Sequence, residues 1–184
     1  FLEEAYEVIE SMDNKNWENL KEELGDILLH VVLQSQIAEE DKKFNISESL
    51  NVLNKKLINR HPHVFADGNY EDGINVKRNW EEIKHEEKKR KSRLDGVPLS
   101  LPALIRAQRL QEKASLTGFD WDKVDDAWGK MDEEIEELKD AIENQDIKNI
   151  QEEIGDVLFS IVNISRKLKF PAEDMLRKAN KKFE

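Results

Sequence analysis

The sequence predicts an all-α fold. Three observations carry that reading: apolar residues recur at helical spacing, few segments alternate with the period of two that a strand needs, and 184 residues hold only four prolines and seven glycines. The first helix is expected from Phe1 to Met12. A second, from Trp17 to Asp41, carries the clearest spacing, Leu20, Leu24, Ile27 and Val31. A third runs from Ser47 to Arg60, followed by His61-Pro62-His63, whose alternating histidines read as a loop entry or cap rather than a metal chelate. The stretch Ala66-Asp67-Gly68-Asn69-Tyr70-Glu71-Asp72-Gly73 gathers helix-breaking residues and reads as a loop. A helix is expected from Ile74 to Lys91, then the turn Asp95-Gly96-Val97-Pro98, which marks the domain boundary and divides the chain into 1–94 and 95–184. The remaining helices are Leu101 to Leu116, Asp122 to Glu143, Ile147 to Lys169 and Ala172 to Glu184.

Charge and composition narrow the chemistry. Lys and Arg number 29 against 40 Asp and Glu, a formal net charge of −11, so a positive field for nucleic acid is not expected. With no cysteine in the chain, disulfides and thiolate chemistry are excluded. The longest apolar stretch, Ile27 to Leu33, is interrupted by His30 and is far short of a membrane span. Phe1-Leu2-Glu3-Glu4 lacks the basic start of a signal peptide, so a soluble cytoplasmic protein is the expectation. The chain opens without methionine and inside a helix, as a fragment would.

Self-comparison is the most informative step. Glu3-Glu4-Ala5-Tyr6-Glu7 recurs as Glu133-Glu134-Ile135-Glu136-Glu137, and Glu22-Glu23-Leu24-Gly25-Asp26 recurs as Glu152-Glu153-Ile154-Gly155-Asp156, both at an offset of 130. Asn54-Lys55-Lys56-Leu57 resembles Asn180-Lys181-Lys182-Phe183 at an offset of 126, which implies a small deletion in the preceding loop. The chain is a tandem duplication. Each copy is too small for a generous core, so the copies are expected to pack on each other or on a second chain.

In each copy two acids at i, i+3 on one helix face another such pair on the next. Glu137 and Glu153 are equidistant from residue 145, as are Glu134 and Asp156, so each couple sits at matching height on antiparallel helices. The first copy does the same about Lys15, with Glu7 opposite Glu23 and Glu4 opposite Asp26. Apolar runs follow directly, Ile27-Leu28-Leu29 and Val157-Leu158-Phe159, and a helix apolar nearly all round is expected to be buried. Carboxylates at the entrance of a buried helix need cations, protons or a metal. Four oxygen ligands without cysteine or histidine suit Mg²⁺ or Mn²⁺ rather than zinc, and a di-iron bundle would carry Glu-x-x-His where Glu-x-x-Asp stands. Gly25 and Gly155, each inside a helix, suggest a close approach to the backbone. His30 reads as a core histidine, and Trp17, Trp121 and Trp128 as packing residues.

A magnesium cage of this kind suits a phosphorylated ligand. The matching basic groups are Lys178, Lys181 and Lys182 after the second cluster and Lys55, Lys56 and Arg60 after the first, with Asn54 and Asn180 able to hydrogen-bond a base or sugar.

At these residues the chain resembles the MazG family of nucleoside triphosphate pyrophosphohydrolases, whose signature is Glu-x-x-Glu followed after a spacer by Glu-x-x-Asp; both copies carry it. Arg60-His61-Pro62-His63-Val64-Phe65, Leu101-Pro102-Ala103-Leu104, Gly118-Phe119-Asp120-Trp121 and Lys178-Ala179-Asn180-Lys181-Lys182-Phe183 extend the likeness to the tandem-domain bacterial form. The resemblance implies tandem all-α helical-bundle repeats, a homodimer, and hydrolysis of NTP to NMP and pyrophosphate with Mg²⁺. It further implies that Glu4, Glu7, Glu23 and Asp26, and Glu134, Glu137, Glu153 and Asp156, bind metal. Lys182 would contact phosphate, with an arginine four residues later that falls beyond Glu184, and the substrate-contacting tryptophan and lysine of the family match Trp80 and Lys84. Against the family pattern, the first copy lacks the helix that would precede Phe1, and the second stops at Glu184, before its Trp-x-x-x-Lys segment.

The leading expectation is a Mg²⁺-dependent pyrophosphohydrolase in which Glu134, Glu137, Glu153 and Asp156 hold the metal. Glu153 and Lys182 are the catalytic candidates, Lys182 stabilising the leaving pyrophosphate; which acid accepts the proton of the attacking water is left open. Lys178, Asn180, Lys56, Arg60, Trp80 and Lys84 are the candidate substrate contacts. The rivals are a nucleotide-binding regulator without turnover and a helical interaction module whose acidic patch binds basic partners.

Overall fold

The computed structural model describes residues 1–65, 80–84, 87 and 91–184, without the side chains of Pro62 and His63. The expected loop at 66–73, and most of the helix expected from Ile74 to Lys91, lie outside these residues. Among the described residues every regular element is helical: α1 (Leu2–Asp13), α2 (Trp17–Glu40), α3 (Ile46–Arg60), a single turn α4 (Pro62–Phe65), α5 (Ala103–Ser115), α6 (Val124–Glu143), α7 (Ile147–Lys167) and α8 (Ala172–Phe183). Residues 80–84 are helical as well. No helix among them is long and apolar enough to cross a membrane.

The chain forms two compact units, Phe1–Ile83 and Lys84–Glu184. In the first, α1 folds back on α2 and α3 packs on α2; in the second, α6 folds back on α7, and α5 packs on α7 and α8. Both hairpins turn the same way. The second residue after the first helix enters the left-handed region, Lys15 at φ 54° and Gln145 at φ 55°. The next amide then reaches back into the helix, Asn16 N–H to the Ser11 carbonyl at 2.9 Å and Asp146 N–H to the Ala141 carbonyl at 3.1 Å. That same residue starts the second helix, because the side chain of Asn16 or Asp146 accepts the Asn19 or Asn149 amide at 3.2 Å. The turn centres at 15 and 145 are the points about which the acid pairs are symmetric.

Three expectations are corrected. The deletion between the copies is mostly in a helix: α2 has 24 residues and α7 has 21, so the second copy is trimmed at the C-terminal end of its long helix as well as in the connection after it. The apolar runs are largely exposed in the single chain, with Leu28 and Leu29 of α2 at 59% and 60% and Leu158 and Phe159 of α7 at 52% and 43%. A hairpin with one neighbouring helix covers only part of each of its helices, here seen at Val162 and Ile164 of α7 and Ala127 and Ala141 of α6, all at most 2% exposed. Trp17, at 71%, is likewise not a packing residue within the chain, and Trp121 and Trp128 stay partly exposed.

The second unit has an additional fastening. The loop between α5 and α6 is tied to the end of α7 by Arg166, which donates two guanidinium hydrogen bonds to Asp120, and by Lys167, which donates to the Trp121 carbonyl and pairs with Asp120 at 3.5 Å. Gln111 and Lys113 of α5 are buried, Gln111 donating to the Phe159 carbonyl at 2.9 Å and Lys113 to that of Arg93 at 3.2 Å. The sequence pattern marks Asp120 and Trp121 but not their partners Arg166 and Lys167, nor Gln111 and Lys113.

Candidate active site

The hairpin geometry brings three carboxylates together in each unit. Ligand oxygens of Glu4, Glu7 and Glu23 lie within 4.8 Å of one another, and so do those of Glu134, Glu137 and Glu153. The i, i+3 spacing puts two acids on one face of α1 or α6, and the tight turn sets the third at their height on α2 or α7. Asp26 and Asp156, expected as fourth members, are exposed and stand outside these trios. An aspartate is one carbon shorter than the glutamate a turn before it, although Asp156 is near enough for its charge to act on Glu153.

Three acids this close repel one another and lose part of their hydration. Partial desolvation, then the charges of Glu23 and Glu4, raise Glu7 above the usual carboxylate range. Glu137 is raised by desolvation, by a hydrogen bond that its protonated carboxyl donates to Glu134, and by the charge of Glu153; Glu153 by desolvation and the charges of Glu134 and Asp156. Glu134 itself is 7% exposed, and the Oε2 atom of Glu153 is buried with no hydrogen-bond partner among the described residues. An orphaned carboxylate oxygen beside two further carboxylates calls for a cation, and an all-oxygen donor set fits a hard divalent ion. On that observation the residues present fit the expected Mg²⁺ or Mn²⁺.

The surroundings differ between the copies. At the first trio His30 is not a core residue: its Nε2 stands 3.7 Å from Glu4 and its ring lies edge-on to Phe1. The equivalent position in the second copy is the buried Ser160. A polar pocket of about 220 Å³, lined in part by Glu7, Glu23 and the amides of Asn14, Asn16 and Asn19, opens beside the first trio. At the second, Lys130 pairs with Glu134 at 2.8 Å and with Glu133 at 2.9 Å. Sequence reading passed over Lys130, though its position four residues ahead of Glu134 was a visible signal.

The expected phosphate contacts are more scattered. Arg60, at the end of α3, lays its guanidinium over the Trp80 ring at 5.5 Å from the centroid, so these two are brought together. Lys84 is on the same helical stretch as Trp80 and half-buried, while Lys56 is exposed on α3. Lys178, Asn180 and Lys182 are exposed on α8, and neither Lys178 nor Lys182 forms an ion pair with the trio among the described residues. His61 acts as expected, capping α3 with Nδ1 2.8 Å from the Leu57 carbonyl. Gly25 and Gly155 do not meet the expected close approach, since a Cβ at either would have nothing within 4 Å.

The family described as the MazG nucleotide pyrophosphohydrolase domain matches residues 1–65 and 129–184, the two segments that hold the hairpins. The nucleoside triphosphate pyrophosphohydrolase/pyrophosphatase MazG of Thermotoga maritima is 48% identical over 184 residues, covering 99% of this chain and 69% of that protein. A nucleoside triphosphate pyrophosphohydrolase of Escherichia coli K12 is 42% identical over 190 residues, covering 100% of this chain and 72% of its own length. One of Mycobacterium tuberculosis is 38% identical over 122 residues, 64% of this chain and 37% of that protein. The chain belongs to the MazG nucleotide pyrophosphohydrolase family, enzymes that hydrolyse phosphoanhydride bonds.

Proposed function

We propose that the chain hydrolyses nucleoside triphosphates to nucleoside monophosphate and pyrophosphate, with water attacking the α-phosphorus at the second carboxylate trio. The observation that carries this reading is the orphaned Glu153 Oε2 beside Glu134 and Glu137 in a chain of this family. Glu134, Glu137, Glu153 and Asp156 would hold Mg²⁺ or Mn²⁺, which when bound neutralises the triphosphate and makes an attacking water more acidic. The chain's own groups divide the remaining work. Glu153 accepts the proton of the attacking water as its oxygen bonds to the α-phosphorus and the α–β bridging bond breaks. Lys182, with Lys178 beside it, steadies charge on the departing pyrophosphate, and Asn180 hydrogen-bonds the nucleoside.

The sequence repeats, 1–94 and 95–184, are taken as the two domains. The first, with Glu4, Glu7, Glu23 and Asp26 as metal ligands and Lys56, Arg60, Trp80 and Lys84 as substrate contacts, serves as a second nucleotide site of scaffolding or regulatory role. The exposed apolar faces of α2 and α7 support assembly as a homodimer, in which a second copy covers them.

The product test is direct. ATP with Mg²⁺ in ¹⁸O-labelled water is expected to give AMP and pyrophosphate with the label in AMP, read by ³¹P NMR. EDTA abolishes the reaction, and Mg²⁺ or Mn²⁺ restores it. ADP and orthophosphate as first products would discard the function, and label in pyrophosphate would move the attack to the β-phosphorus.

A further inference from the structure

Lys130 makes an ion pair that its helix alone does not explain. It contacts Glu133 and Glu134 three and four residues ahead, with the lysine N-terminal to the acid, the weaker order for such pairs on a helix. Its partner Glu134 is nevertheless the most buried member of the second trio. By contrast Lys139, farther along α6, makes a similar pair with Glu136 at 2.7 Å, with both partners exposed and neither in the trio.

We infer that Lys130 is a built-in counter-cation of the second site, occupying Glu134 in the metal-free chain and competing with the divalent ion for it. This rests on the reading of the second trio as a metal site. The physical reason is charge. Three clustered carboxylates with one buried orphan oxygen repel one another, and a single ammonium on the most buried of them offsets part of that repulsion. A divalent ion at the same oxygens would then meet a positive charge a few ångströms away, and Glu134 must exchange its lysine for the metal. The residue therefore lowers the affinity for the bare ion while supporting the empty fold.

The test is Mn²⁺ binding by calorimetry on the full chain, in a Glu23→Gln background that weakens the first trio. Lys130→Met is expected to tighten Mn²⁺ binding roughly tenfold, the order a unit charge about 5 Å from a divalent ion exerts in a water-like dielectric. Lys139→Met, which changes net charge equally on the same helix, should shift it less than about twofold. Lys130→Arg keeps the charge and should bind no more tightly than the parent, which covers the case that the methionine variant fails to fold. Glu153→Gln in the same background should abolish the binding. If it does not, the trio is not the metal site and both readings fall. If it does, but Lys130→Met binds no more tightly than its parent or Lys139→Met tightens equally, the counter-cation alone is overturned.

Discussion

Glu153→Gln lowers turnover of the chain by at least about 10³-fold, roughly 4 kcal/mol of transition-state stabilisation, while Glu23→Gln lowers it by less than about tenfold. The two substitutions are matched: each keeps side-chain size, removes one charge, and falls at the same place on the second helix of its hairpin. Both relieve a crowded trio, so their effects on folding should be small and alike. The asymmetry comes from the surroundings. Glu153 has the buried oxygen with no partner among the described residues, the atom best situated to take a ligand or a proton. Steady-state kinetics with ATP and Mg²⁺ check the pair. Equal loss in both variants would mean two working or coupled sites, and loss confined to Glu23→Gln would reverse the assignment of copies.

Arg166→Ala destabilises the second unit by about 3 kcal/mol, the order measured when one partner of a largely buried ion pair is removed. The Arg166 side chain is only 11% exposed, and its loss leaves Asp120 with Lys167 as its one charged partner among the described residues. Burial alone would raise the Asp120 pKa, but the hydrogen bonds and charge of Arg166, with Lys167, outweigh it and hold the carboxyl below its ordinary 3.8. A carboxyl with a lowered folded-state pKa contributes stability that is present above the unfolded value and lost as pH falls through the folded one. The difference between wild type and Arg166→Ala, measured by urea unfolding, should therefore be constant from neutral pH down to about 4 and shrink below it. A difference that stays constant through that acid range would assign the cost of the substitution to lost packing alone.

The duplication was legible because two blocks of acids recur at one offset, and the hairpin register followed from counting outward from 15 and 145. Those residues prove to be the left-handed turn centres. The meeting of Glu134, Glu137 and Glu153 was legible for the same reason, whereas the separation of Asp156 was not, because rise per residue fixes height but not side-chain reach. The apolar runs were misread as buried because periodicity reports which face avoids water, not whether the same chain supplies the cover. His30 was misread for a related cause: it sits in an apolar run, yet the helix face it shares with Glu23 turns it toward Glu4. Lys130 stands four residues ahead of Glu134, a spacing the sequence displays but one shared by the exposed pair Lys148–Glu152, so spacing alone does not mark it. The Arg166–Asp120 clamp joins residues 46 positions apart across a loop, a contact that no local pattern announces.

The central claim is that a divalent ion sits among Glu134, Glu137 and Glu153. Anomalous scattering from crystals grown with Mn²⁺ tests it most directly. A manganese peak bounded by oxygens of those three side chains at about 2.0–2.2 Å is the expected result. Manganese held only at the first trio, or at neither trio, would contradict it.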